Sequence, residues 1–301
     1  MDVYKLRPGE TGQRTISKTQ FEADTLCKPP WYQFNRQGKK VQFAVCPACD
    51  NPIQIIGLYH LPPRVNRPFG RHLATGGEDL APHDPEAREN CPFFKPRPHQ
   101  KTDRKQRLDG LPLKILQTLM TQFDRVVYLI QKETGLVFST AMLRKMLDTY
   151  RAEKGYLYTG ATLTNIPWVF AYMTDSQPLF MQKITSEALR NAVRSHVPAA
   201  SITDEGRISR GSAPDGRKRF FTLDLCFIKH QMKRDGEDGA LTEAMDMVIS
   251  IENQQVIYRK EIVFNHEYFQ NLIQLPDARS SRRPALVDLA REHLGHLCDT
   301  R

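Results

Sequence analysis

The stretch Lys39-Lys40-Val41-Gln42-Phe43-Ala44-Val45-Cys46-Pro47-Ala48-Cys49-Asp50-Asn51-Pro52-Ile53-Gln54-Ile55-Ile56-Gly57-Leu58 decides how the first third of the chain folds. Residues 39–45 alternate polar and apolar, the period of a strand buried on one face. Residues 53–58 carry the aliphatic and β-branched side chains of a second strand. Between them, Cys-Pro-Ala-Cys-Asp-Asn-Pro can only turn, so the segment reads as strand, knuckle, strand. Two thiolates separated by two residues in such a turn both reach one tetrahedral cation at bond lengths of about 2.3 Å. The knuckle therefore predicts a zinc ligand pair, Cys46 and Cys49.

A tetrahedral site needs two more ligands, and no second C-x-x-C follows. From Pro62 to Pro98 the chain has eight prolines, a composition that breaks helices and strands alike and that needs another source of order. His72, in Phe69-Gly70-Arg71-His72, and Cys91, in Asn90-Cys91-Pro92, are the best candidates to supply it, with His60, His83 and Cys27 in reserve. A redox C-P-x-C would lead into a helix, whereas Asp-Asn-Pro and a strand follow here. A catalytic zinc would keep an open position near a general base. The nearby Glu78, Glu86 and Glu89 sit on a polar loop, so the expected role is structural.

Outward from the knuckle, the 301 residues are enough for two units. Residues 1 to about 38 are polar and turn-rich, with scattered aromatic anchors, and read as an irregular arm that docks on something else, a protein partner among the options. With the knuckle they form a zinc-binding module over residues 1–94. Residues 95–107 hold six basic residues and one acidic residue with no apolar periodicity, the pattern of a basic linker, set at 95–110. Beyond it, Leu111 to Ile130 follows three- and four-residue steps closed by Gly135. Ser139 can cap a helix over 140–154, Asn165 and Pro167 start a short one through Tyr172, and Thr185 or Ser186 opens another to about Ser195. After His196 the signal changes to strands at 219–232, 244–251 and 255–264, the last two joined by the tight Glu252-Asn253-Gln254 turn. A helix near 267–275 and a last one from about Pro284 finish the chain. The predicted fold class is α+β: a zinc-stabilised N-terminal module, then a helical segment packed on a small antiparallel sheet over 111–301.

The formal charge of +9 suits a polyanionic partner. The most suggestive basic loop carries Arg207, Arg210, Arg217, Lys218 and Arg219 among Gly and Ser residues and leads into a strand, as a wing leads toward a phosphate backbone. The aromatic residues at 156–172 fit an ordinary core, and the helices before and at 166–172 are too far apart for a helix-turn-helix. Six cysteines, four of them in the first third, suit a reducing compartment and a metal rather than a disulfide scaffold. No apolar run reaches the ~18 residues of a membrane span. The expected location is cytoplasmic, away from membranes.

The C-P-x-C after a strand, followed some twenty residues on by Phe69-x-x-His72, resembles the N-terminal metal-binding module of competence-protein (CoiA-like) families over residues 40–91. Pro68 stands where those families place a first histidine. The resemblance implies a bacterial protein associated with DNA, with zinc ligands at Cys46, Cys49 and His72. Such families also carry a restriction-type nuclease domain, whose acidic residues hold a divalent metal. The nearest set here is Asp224, Glu243 and Asp246, but the D/E-x-K pair is missing, because Lys260 is in the wrong arrangement. The lone His196, His230 and His266 read as surface or capping residues. The expected function is a zinc protein contacting DNA, RNA or a nucleoprotein complex, linked to DNA processing, mobile elements or defence. A metal-dependent nuclease and a protein-interaction module are the alternatives.

Overall fold

A computed structural model describes residues 1–35, 37–75, 77, 79–211, 220–235, 240–277 and 281–298. The arm is more regular than its sequence suggests. Strands β1 (Val3–Tyr4) and β2 (Arg14–Thr15) pair antiparallel. Helix α1 (Lys18–Thr25) is capped by the Ser17 side chain, which accepts from Gln20 N–H, and stops at Leu26 in the left-handed region. Its Phe21 is fully buried between Tyr4 and Tyr32. The knuckle strands are β4 (Lys40–Val45) and β5 (Pro52–Ile56), extended by β3 (Tyr32–Phe34) and β6 (Phe69–His72) to a four-stranded antiparallel sheet in the order β3-β4-β5-β6. A short helix α2 (Pro85–Glu89), capped by Asp84, orders part of the proline-rich segment.

Residues 95–110 do not form a free linker, which corrects the sequence reading. Lys105 is buried and donates from Nζ to the Ala161 carbonyl at 2.8 Å, and buried His99 bonds Thr159 at 2.8 Å. Lys101 donates to the Thr174 carbonyl at 2.9 Å, and Arg104 to the Glu153 carbonyl at 2.7 Å. The basic groups spend their donors on carbonyls of the helical body, so the segment is a strap across it. One cluster of buried apolar residues runs from Tyr4 to Leu294.

The long predicted helix is two, α3 (Gly110–Thr121) and α4 (Phe123–Thr134), broken at Gln122, where the chain turns Phe123 edge-on to Phe170 at 5.2 Å. Strand β7 (Leu136–Val137), helix α5 (Thr140–Ala152), capped as expected by Ser139, and helix α6 (Ile166–Tyr172) follow. Every residue of α6 is buried, so it belongs to the core and reads no groove. Then come β8 (Gln177–Pro178), β9 (Lys183–Ile184), α7 (Glu187–His196) capped by Ser186, and the hairpin β10 (Ala200–Ile202) with β11 (Ile208–Arg210).

The main sheet takes β12 (Leu223–Asp235), β13 (Ala240–Ile251) and β14 (Gln255–Val263) in the order β14-β13-β12-β8, all antiparallel. The expected Glu252-Asn253-Gln254 turn joins the last two, with Glu252 and Asn253 at φ +51° and +55°. Helices α8 (His266–Gln274) and α9 (Pro284–Leu294) close the body, α9 packing against α3, α4 and α5. The result is the expected mix of helices and antiparallel sheet. No helix among the described residues is long and apolar enough to cross a membrane.

Candidate metal centre

The knuckle between β4 and β5 closes because Cys46 N–H donates to Asn51 O at 2.9 Å and Asp50 N–H to Cys46 O at 3.1 Å, with Asp50 at φ +62°. This turn aims both thiols to one side. The end of β6 brings in His72, paired across the sheet with Ile53, and the turn after α2 brings in Cys91. The four ligand atoms of Cys46, Cys49, His72 and Cys91 lie within 4.8 Å of one another, and all four residues are buried. The sequence thus named the full set. Of the reserves, Cys27 and His60 are exposed.

The spacing suits a metal and not a disulfide. Cys46 Sγ and Cys91 Sγ are 3.7 Å apart, and Cys49 Sγ is 3.3 Å from His72 Nε2. Thiolates at about 2.3 Å from a tetrahedral centre are separated by roughly 3.8 Å, whereas a disulfide would bring them to about 2.0 Å. Burial pushes the Cys91 and Cys49 thiols up, while the hydrogen bonds that Cys49 and Cys91 offer outweigh burial at Cys46 and hold it as the thiolate. A divalent cation would favour the thiolate form of all three sulfurs. The group can hold a metal ion, with the soft N/S donor set typical of zinc.

The surroundings are built to match. Asn51 Nδ2 donates toward Cys49 Sγ at 3.5 Å, and Asn51 Oδ1 accepts from Asp84 N–H at 2.9 Å, tying the knuckle to the cap of α2. Phe94 covers His72 edge-on at 5.6 Å. Burial pushes Lys105 down to about 8, but Asp84, Glu86 and the thiols of Cys49 and Cys91 favour its charged form. Asp50 binds the ammonium groups of Lys5 and Lys114 and accepts from Gly9 N–H at 3.1 Å, so arm, knuckle and α3 meet at one carboxylate.

The alternative nuclease set does not assemble. Glu243 shares the inward face of β13 with Met245, Met247 and Ile249, while Asp246 points the other way, near Lys229 at 3.9 Å. Asp224 pairs with Ser250, four residues along from Asp246 and therefore about 13 Å away. Glu243 belongs instead to a buried polar cluster that sequence reasoning missed. His230 Nε2 donates to Glu243 Oε1 at 2.6 Å and Asn165 Nδ2 donates to it at 2.7 Å, while His266 Nε2 lies 3.0 Å from Oε2. Tyr158 Oη lies 2.9 Å from His230 Nδ1 and completes the hydrogen bonding of that ring. Both nitrogens of His266 face oxygen atoms, those of Glu243 and of the Thr164 carbonyl at 3.2 Å, an arrangement that favours its charged form. Burial pushes the Glu243 carboxyl up, yet the bonds from His230 and His266 hold it down at about 2. Burial pushes His266 down, and Glu243 more than restores it, to above its ordinary value. His230 and His266 are thus not the surface or capping residues expected.

Of the basic loop, Arg217, Lys218 and Arg219 lie outside the described residues. Arg207 is exposed and donates to the Met181 carbonyl at 3.2 Å. Arg210 lies over two aromatic rings, 4.1 Å from the centre of Phe220 and 5.0 Å from that of Phe180. Both rings are exposed, Phe220 at 81%. No protein-family model matches the chain. No curated protein matches it at significance. No solved structure does so either.

Proposed function

We propose that the chain is a zinc protein whose Cys3His centre is structural and whose Arg207–Arg210 face contacts nucleic acid. The observation that carries the first half is the closed donor set: four protein ligands, all buried, leave no position for water or substrate, which is how structural zinc sites differ from catalytic ones. Zinc then fixes the proline-rich segment between β6 and the strap, where regular structure is sparse. The resemblance of residues 40–91 to CoiA-like modules supports Cys46, Cys49 and His72 as ligands and a link to DNA.

The nucleic-acid half is supported by charge and by the stack at Arg210. An Arg plane and exposed aromatic rings at the root of a segment whose sequence adds Arg217, Lys218 and Arg219 combine phosphate neutralisation with faces on which bases stack. Anisotropy titrations with labelled single- and double-stranded oligonucleotides over a range of salt test it. Binding is expected at low salt, and the double change Arg207→Ala with Arg210→Ala is expected to lower the slope of log affinity against log salt by about 1.5. Absence of binding at low salt, or an unchanged slope, refutes the reading.

A further inference from the structure

A groove of about 790 Å³ opens on the N-terminal sheet, between the β3–β4 turn and the residues that follow β5. Lys39, Lys40, Gln42 and Gln54 line it, and no acidic residue does so among the described residues. The charge around it is one-sided. Residues 28–75 hold seven Lys or Arg and one acidic residue, Asp50. Asp50 is buried and taken by Lys5 and Lys114, so it neutralises nothing on this surface. Arg67 has Asp2 at 3.6 Å, but Lys39 and Lys40 are exposed and have no carboxylate partner among the described residues.

The β3–β4 hairpin puts a ring, a cation and an amide on one face. Phe34 is directly opposite Lys40 and Tyr32 directly opposite Gln42, so these four side chains share a side of the ribbon. The Lys40 ammonium is 4.6 Å from the centre of the Tyr32 ring, and Phe34 is 74% exposed. The turn that carries them is fixed, because Asn35 Oδ1 accepts from Gln37 N–H at 3.0 Å and from Lys39 N–H at 2.9 Å. Gln42 lies two positions beyond Lys40, about 7 Å along β4. It is 8% exposed, yet its side-chain amide has no hydrogen-bond partner among the described residues and is not shut off from solvent. An amide so placed costs free energy until a donor and an acceptor meet it.

We infer that this face holds single-stranded nucleic acid. A base stacks on Phe34, the adjoining phosphates take Lys39 and Lys40, and the edge of a base meets the Gln42 amide, which is both donor and acceptor. A duplex keeps the faces of its bases covered and leaves Phe34 bare. An acidic peptide would use the lysines but leave the ring and the amide unanswered. This sheet is separate from the β10–β11 hairpin that carries Arg210, so either surface can fail without the other.

Anisotropy titrations of the full chain with labelled single-stranded DNA and RNA, and with the matching duplex, test the inference. The variants are Phe34→Ala, Gln42→Leu and the pair Lys39→Ala with Lys40→Ala. Phe34→Ala is expected to weaken single strands at least fivefold, the loss of one stacked base, with duplex affinity and thermal midpoint unchanged. The lysine pair is expected to lower the slope of log affinity against log salt by about 1.4. Gln42→Leu is expected to reduce the affinity differences among oligo(dA), oligo(dC) and oligo(dT). The same losses are expected in a chain that also carries Arg207→Ala and Arg210→Ala, which separates the two surfaces. No single-strand binding in that chain, undiminished affinity in Phe34→Ala, or displacement by polyglutamate as effective as by the oligonucleotide overturns the inference.

Discussion

Replacing Glu243 by Gln removes one charge from the most buried carboxylate of the main sheet and keeps its shape. In the native chain that carboxylate takes the His230 and Asn165 donors and faces the His266 ring, whose charged form it favours, all from different elements. Removing one partner of a buried ion pair leaves the other uncompensated, at a cost of about 3 to 5 kcal/mol. With an unfolding entropy of ~2.1 cal/mol/K per residue, a chain of this length loses roughly 5 to 8 °C in its thermal midpoint. The pH dependence gives a sharper test. The Glu243 pKa is held below its ordinary 4.5, so its contribution is present above that value and fades as pH falls toward about 2. The His266 pKa is raised, so its contribution is complete below about 6.5 and fades as pH rises through the folded value. Metal ligands stay deprotonated on the alkaline side, which makes that limb the cleaner one. Circular-dichroism melts of both chains at pH 6 and pH 9 are expected to show the wild type losing more stability than Glu243→Gln on going to pH 9. Equal midpoints at pH 6, or parallel losses between the two pH values, refute the clamp.

Asp50→Asn keeps a residue that tolerates φ +62° but removes the charge shared by Lys5 and Lys114, one of which is fully buried. A loss of about 3 kcal/mol in urea unfolding is expected, with earlier proteolysis of the arm, and a neutral result contradicts the joint at Asp50. Gly135→Ala forces a side chain at φ +67°, where its Cβ would meet Ser186 Cβ at 2.4 Å. Since Gly135 ends α4 and Ser186 caps α7, a loss of about 2 kcal/mol or more is expected in the same assay, and a stabilised variant contradicts the packing there.

How much of this the sequence disclosed differs from site to site. The Cys3His group was legible in full, because C-x-x-C spacing is a local constraint and the proline-rich segment needed anchors. His230 was not legible. Along β12 the inward positions are Leu223, Leu225 and Phe227, and continued alternation would turn His230 outward. A bulge between Ile228 and Gln231, with Lys229 at φ +56°, shifts the parity so that His230 and Met232 face in. Glu243 carried a signal that was missed: it shares parity with Met245, Met247 and Ile249, and a strand begun at Ala244 hides that. The strap shows the limit of composition. A run of Lys and Arg looks solvated, yet Lys105 and His99 are buried because carbonyls and hydroxyls of residues 159–161 wait for them, and that pairing spans more than fifty residues.

The central claim is that Cys46, Cys49, His72 and Cys91 hold one zinc ion that orders the N-terminal third. Elemental analysis of the purified full chain, repeated for Cys91→Ser, tests it most directly. One zinc per wild-type chain is expected, with much less in the variant and a lowered thermal midpoint for the variant and for the chelated wild type alike. A wild-type chain that is metal-free yet keeps its midpoint, or one whose bound metal is untouched by Cys91→Ser, would contradict it.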